Sequence, residues 1–141
     1  MIADSSVWID WLRGRAHPVV ERLDRQLRAG DVRLLPIVLQ EVLQGAATPE
    51  RFTAWNRAFD AVPMALTQDA AKTAVLAAGL YARCRWAGFT PRSANDCLIA
   101  ASCIELGEPL LHLDRDFVTI ARVEPGLRMV SESATKGKSK T

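Results

Sequence analysis

Cysteine is scarce in this chain, and its three examples form no pair. Cys84, Cys97 and Cys103 are odd in number and make no CxxC motif. That argues against a disulfide framework and for reduced, buried thiols in a cytoplasmic protein. Histidine is rarer: His17 and His112 lack a partner at ligand spacing, so a zinc site is not expected. No apolar run approaches the ~20 residues of a membrane span. The start of the chain also lacks a basic segment followed by a long apolar stretch, so no secretory leader is expected. GxGxxG, P-loop and GxSxG motifs are missing, which removes nucleotide-cofactor and serine-nucleophile readings. Acids are missing from residues 133–141, which carry Lys136, Lys138 and Lys140. Without those three lysines the net charge of +2 becomes −1 for the body. A nucleic-acid binder with so neutral a body must rely on local arginines and metal.

What is present reads as one folded domain. The 141 residues are 49% apolar, enough for a chain of this size to bury roughly 68–70% of its unfolded surface. The expected division is a domain over 1–132 and a basic, disordered tail over 133–141. Short apolar runs at 1–3, 32–35, 62–66, 109–113 and 127–130 read as strands, with Pro63 marking an edge. Between them, helices are expected over 7–12, 18–28, 36–43, from 49, from about 69 to 88, through 106, and over 114–121. Pro18, Pro36 and Pro49 open helices, while Gly30, Gly45 and Gly107 end them. Alternating strands and helices imply right-handed crossovers. The expected fold class is α/β, a three-layer domain with a mainly parallel central sheet and helices on both faces.

Four carboxylates stand where apolar runs give way to helices, or within a helix: Asp4, Glu41, Asp96 and Asp114. Acids so placed can converge at the carboxyl edge of a parallel sheet. Each also has a plain structural reading. Asp4 and Asp114 can cap the helices that follow, Asp96 can cap an almost uncharged one, and Glu41 can be a solvated residue on a polar helix face. Together they are the composition of a site for a hard cation such as Mg²⁺ or Mn²⁺, which points to metal-assisted phosphodiester chemistry. Arg92 and Arg115 flank the acids and can clamp RNA phosphates; Arg13 and Arg15 are weaker candidates, since Asp10 can pair with Arg13. The spacing of Trp8, Trp11, Trp55 and Phe59 favours packing over base stacking.

Asp4-Ser5-Ser6-Val7-Trp8-Ile9, the isolated Glu41, Asn95-Asp96-Cys97-Leu98-Ile99-Ala100-Ala101 and Leu113-Asp114-Arg115-Asp116-Phe117 resemble a PIN domain in order and spacing. The resemblance extends over about residues 1–130 and is similar to the VapC-type toxins of toxin–antitoxin pairs. Ser5, Cys97 and His112 depart from the residues common in that family, but no carboxylate is lost. The resemblance implies a Mg²⁺- or Mn²⁺-dependent endoribonuclease acting on tRNA, ribosomal RNA or mRNA. Asp4 and Asp96 would be its principal metal ligands, and Glu41 and Asp114 would complete the acidic site. Asp116 would stand behind them or help with a second ion, while Ser6 would orient Asp4 or the attacking water. It also implies a small cognate antitoxin, a homodimer within the toxin–antitoxin complex, and an apolar groove for these partners around Trp8, Trp11, Trp55 and Phe59. The alternative is a catalytically silent RNA- or partner-binding module on the same scaffold. That reading calls for a lost acid, and none is lost.

Overall fold

The computed structural model describes residues 1–133; the lysine-bearing end expected to be disordered, from residue 134 onward, lies outside the described residues. The elements run β1 (Ile2–Ala3), α1 (Ser5–Leu12), α2 (Pro18–Arg28), α3 (Pro36–Gln44), α4 (Pro49–Ala58), α5 (Ala70–Trp86), α6 (Ala94–Leu106), β2 (Leu110–Leu111) and α7 (Arg115–Val123). Pro18, Pro36 and Pro49 each occupy the first helical turn, where a missing N–H leaves no bond unmade. Gly107 ends α6 in the left-handed conformation, φ 65°, which a side chain would penalise. Helix α1 begins two residues earlier than the sequence suggests because Asp4 supplies its cap, accepting from the Val7 N–H.

Strands β1 and β2 pair in parallel, Ile2 opposite Leu110 and Ala3 opposite Leu111. The expected strands at 32–35, 62–66 and 127–130 contract to single parallel bridges: Ile2 with Arg33, Leu34 with Met64, and Leu110 with Met129. Ladder bonds still tie them in, with Arg33 N to Met1 O at 3.0 Å, Ala65 N to Leu34 O at 2.8 Å and Val130 N to Leu110 O at 2.9 Å. Pro63 lies on the edge segment, where only its carbonyl is needed, accepting from Leu34 N at 2.9 Å. The spatial order is therefore 62–66, 32–35, β1, β2, 127–130.

Helices α1 to α4 pack chiefly on one another, and α5 to α7 form a second group. Right-handed crossovers running in opposite directions from β1 set the two groups on opposite faces, giving the three layers. Ile2, Leu34, Leu110 and Leu111 fill the middle, with Trp8, Val38 and Val42 in one helical layer and Leu80, Ile99 and Phe117 in the other.

Two expectations need correction. Of the four aromatics placed around an apolar groove, Trp8, Trp55 and Phe59 are buried in the core, while Trp11 is partly exposed and lines a pocket. Trp8 meets Phe59 edge-on at 4.9 Å and Trp11 at 5.7 Å between ring centres, which satisfies the aromatic faces internally. Ser133, placed in the tail by composition, is also buried. Its hydroxyl accepts from His112 N at 2.9 Å and donates to Leu110 O at 3.2 Å, so a residue that composition assigned to the tail is tied into the fold. Among the described residues no helix is long and apolar enough to cross a membrane.

Candidate active site

From β1 the chain winds outward to 32–35 and 62–66, then returns past β1 to β2 and 127–130. The reversal makes the junction of β1 and β2 a topological switch point, where ligands bind beyond the strands' carboxyl ends. Asp4 follows β1 directly, and Asp114 lies just after β2 as the cap of α7. The first turn of α6 brings Asp96 to the same place, and α3 brings Glu41. A cleft of about 340 Å³ results, lined by Asp4, Ser5, Ser6, Glu41, Arg92, Ser93, Asp96, Ile99 and Asp114. All four acids singled out from the sequence meet here.

Capping and clustering prove compatible in Asp4. Its Oδ1 accepts from Val7 N at 3.2 Å, and the Ser6 hydroxyl lies 2.9 and 3.1 Å from its two oxygens. Ser6 is thus within hydrogen-bond reach of both Asp4 oxygens. Asp114 likewise caps α7 through Oδ1, accepting from Asp116 N at 2.9 Å. Asp96 is different: Ser93 caps α6, accepting from Asn95 N at 3.1 Å, so the helix does not use the Asp96 carboxylate. Glu41 is gripped at both oxygens, by the Ser5 hydroxyl and by Asn95 Nδ2 at 3.0 Å. Ser5 and Asn95 had no role in the sequence reading beyond cap and motif. Their signal was adjacency to Asp4 and Asp96, which puts them on the cleft-facing turns of α1 and α6.

Asp96, Asp114 and Asp116 each offer an oxygen within 4.8 Å of the others. Asp116 adjoins the cleft, whose lining holds Asp96 and Asp114 together with Asp4 and Glu41. Burial is the main cause of a raised Asp4 carboxyl, from 3.8 to about 7, aided by the charges of Asp114 and Glu41 against the opposing bonds from Ser6 and Val7. Burial also drives Asp96 up to about 8, with Asp114 beside it reinforcing the effect. His112 is fully buried, and its ring is held down at about 4 by burial. Its Nδ1 accepts from Asp114 N at 3.2 Å, which leaves the proton on Nε2, facing Met129 Sδ at 2.9 Å. This neutral histidine supports the Asp114 backbone.

The donor set fits a hard divalent cation. Asp96 Oδ2 is buried with no hydrogen-bond partner, a costly state for an ionised oxygen unless a proton or cation meets it. Oxygen donors suit Mg²⁺ or Mn²⁺. A thiolate does not compete, since burial pushes Cys97 up to about 12.

The basic residues divide. Arg92 reaches the acids themselves, Nη2 to Asp114 Oδ1 at 2.8 Å and Nε to Asp116 Oδ2 at 3.5 Å, while its backbone N–H donates to Asp116 Oδ2 at 2.8 Å. Arg115 is exposed at the start of α7. Arg15 pairs with Asp10 at 2.9 Å, and His17 joins the same carboxylate, so Asp10 serves Arg15 in place of Arg13.

The PIN-domain family model matches residues 1–123. A VapC ribonuclease of Mycobacterium bovis is 34% identical over 125 residues, covering 87% of this chain and 92% of that protein. The ribonuclease VapC11 of Mycobacterium tuberculosis matches with the same identity and coverage. Every acid of the cleft falls inside the family match, and the chain belongs to the PIN-domain family, in its VapC branch.

Proposed function

We propose that this chain is a Mg²⁺- or Mn²⁺-dependent endoribonuclease, the toxin of a toxin–antitoxin pair acting on cytoplasmic RNA. The observation that carries the reading is the buried, partnerless Asp96 Oδ2 within a set of acids at the switch point. Asp96, Asp114 and Asp116 would hold the ion, with Asp4 a further carboxylate in the same cleft. A divalent cation there supplies positive charge for the phosphoryl oxygens and acidifies water for in-line attack.

The remaining work belongs to the chain. Ser6 and the α1 backbone fix Asp4. Ser5 and Asn95 fix Glu41, which can orient water across the cleft from Asp114. Arg92 and Arg115 are the proposed phosphate contacts. His112 is not an acid–base group, because both ring nitrogens are occupied inside the core. The similar proteins are named ribonucleases, which supports RNA as substrate. A second copy of the chain and a small antitoxin are the proposed protein partners.

Purified protein incubated with total cellular RNA and Mg²⁺ is expected to yield discrete new 5′ ends, with cleavage abolished by EDTA. Asp96→Asn, which keeps shape and removes charge, should lower the rate at least ~100-fold. Full cleavage in excess EDTA, or by the Asp96→Asn protein, would sink the metal mechanism.

A further inference from the structure

Among the described residues, Arg92 is the cation ion-paired to the acids of the cleft. It sits on the turn between α5 and α6, which Gly88 opens at φ 90°. Its backbone N–H anchors the turn to Asp116 Oδ2 at 2.8 Å, so the root of the side chain is fixed beside the acids. The guanidinium is another matter. It reaches Asp114 and Asp116, two of the three residues best placed to hold a cation, yet 75% of the side chain is exposed. An ion pair so wet contributes little, so the contact is cheap to break while its root stays in place.

The groups around it set the direction of exchange. Arg92 brings one positive charge to a cleft whose lining includes Asp4, Glu41, Asp96 and Asp114, with Asp116 adjoining. A divalent cation on the same carboxylates brings twice that charge and weakens the acids' hold on the guanidinium. An arginine released there, still rooted at the cleft mouth, has the planar fork that grips a phosphate through two parallel bonds.

We propose that Arg92 is an exchangeable counter-ion: its guanidinium sits on Asp114 and Asp116 in the metal-free protein and passes to an RNA phosphate when a divalent cation takes those acids. This rests on the metal-dependent ribonuclease reading above. It makes Arg92 a competitor of the metal and a helper of the substrate, two effects of opposite sign from one side chain.

Arg92→Gln and Arg92→Lys test it without relying on turnover. Mn²⁺ binding by calorimetry should tighten about two- to fivefold in Arg92→Gln, the range that an exposed ion pair spans. Binding of a nuclease-resistant 2′-O-methyl phosphorothioate RNA, measured by anisotropy with Mn²⁺ present, should weaken in the same variant. The slope of log affinity against log salt should fall by about 0.7, the share of one phosphate contact on a single strand. Arg92→Lys should keep the salt slope but lose part of the affinity, having charge without the fork. Melting of both variants in EDTA checks that they are folded. Unchanged or weaker Mn²⁺ binding in Arg92→Gln overturns the exchange, as does equal RNA affinity in wild type and variant, including no binding by either. Absence of Mn²⁺ binding by the wild type overturns the metal reading itself, which separates the two failures.

Discussion

At the residue scale, opposite titrations meet in one small volume. Folded Asp4 and Asp96 ionise near 7 and 8, against 3.8 in an open chain, because burial and neighbouring acids oppose their charge. From pH 3.8 upward the folded protein holds protons that the unfolded chain has released, so stability falls as pH rises through 7 to 8. His112 works the other way: folded it ionises near 4 and unfolded near 6.5, so its contribution is lost as pH falls from 6.5 toward 4. Above 6.5 the carboxyl effect leads, joined toward pH 9 by Cys84, Cys97 and Cys103, whose thiols burial also keeps protonated. Metal-free protein should therefore melt lower at about pH 8.5 than at about pH 6.5, and millimolar Mg²⁺ should raise the melting point more at the higher pH. Scanning calorimetry with Mg²⁺ or EDTA checks it. A melting point that climbs over that interval without metal, or ignores Mg²⁺ throughout, removes the carboxyl cluster as its cause.

At the element scale, helices were far more legible than strands. Pro18, Pro36, Pro49 and Gly107 mark helix ends by local backbone chemistry, which tertiary structure had no reason to override. The apolar runs located all five sheet segments, yet three of them make single bridges. A strand buried on both faces is continuously apolar, so the sequence shows where it passes and not how many rungs it makes. Asp4 and Asp114 were legible because they follow apolar runs, and Asp96 because it enters an almost uncharged helix; Glu41, on a polar face of α3, was the least legible of the four. The grip of Ser5 and Asn95 on Glu41 was not, since it depends on α1, α3 and α6 meeting in space. The aromatics show the same limit: helical spacing says that Trp8 packs, and only the fold says that it packs inward. Trp8→Ala should cost about 3–5 kcal/mol. Trp8→Phe should cost much less, because it keeps most of the ring and removes an Nε1–H that has no partner. Urea unfolding decides; near-equal losses would mean that the indole is not packed as described.

At the scale of the whole molecule, burying Trp8, Trp55 and Phe59 turns the question of partners toward other faces. Helix α5 offers the clearest alternative. Val75 and Trp86 are 73% and 80% exposed, and Gly79 and Ala82 lie between them at spacings of four, three and four, which align all four along one stripe. A Cβ built at Gly79 would meet nothing within 4 Å, so the middle of the stripe is open to another surface. The described chain carries little net charge once the three terminal lysines are set aside, so like-charge repulsion does little to oppose a second copy. A two-fold axis would let one such stripe serve both protomers, each supplying an exposed indole and a shallow middle to receive one. If the proposed homodimer uses this face, Trp86→Glu should shift the protein toward monomer in sedimentation equilibrium. Trp86 is already in solvent, so the variant should fold normally and bind Mn²⁺ with wild-type affinity. A wild-type protein that is monomeric at every concentration tested rules the dimer out, and a Trp86→Glu protein that remains fully dimeric places its interface away from α5.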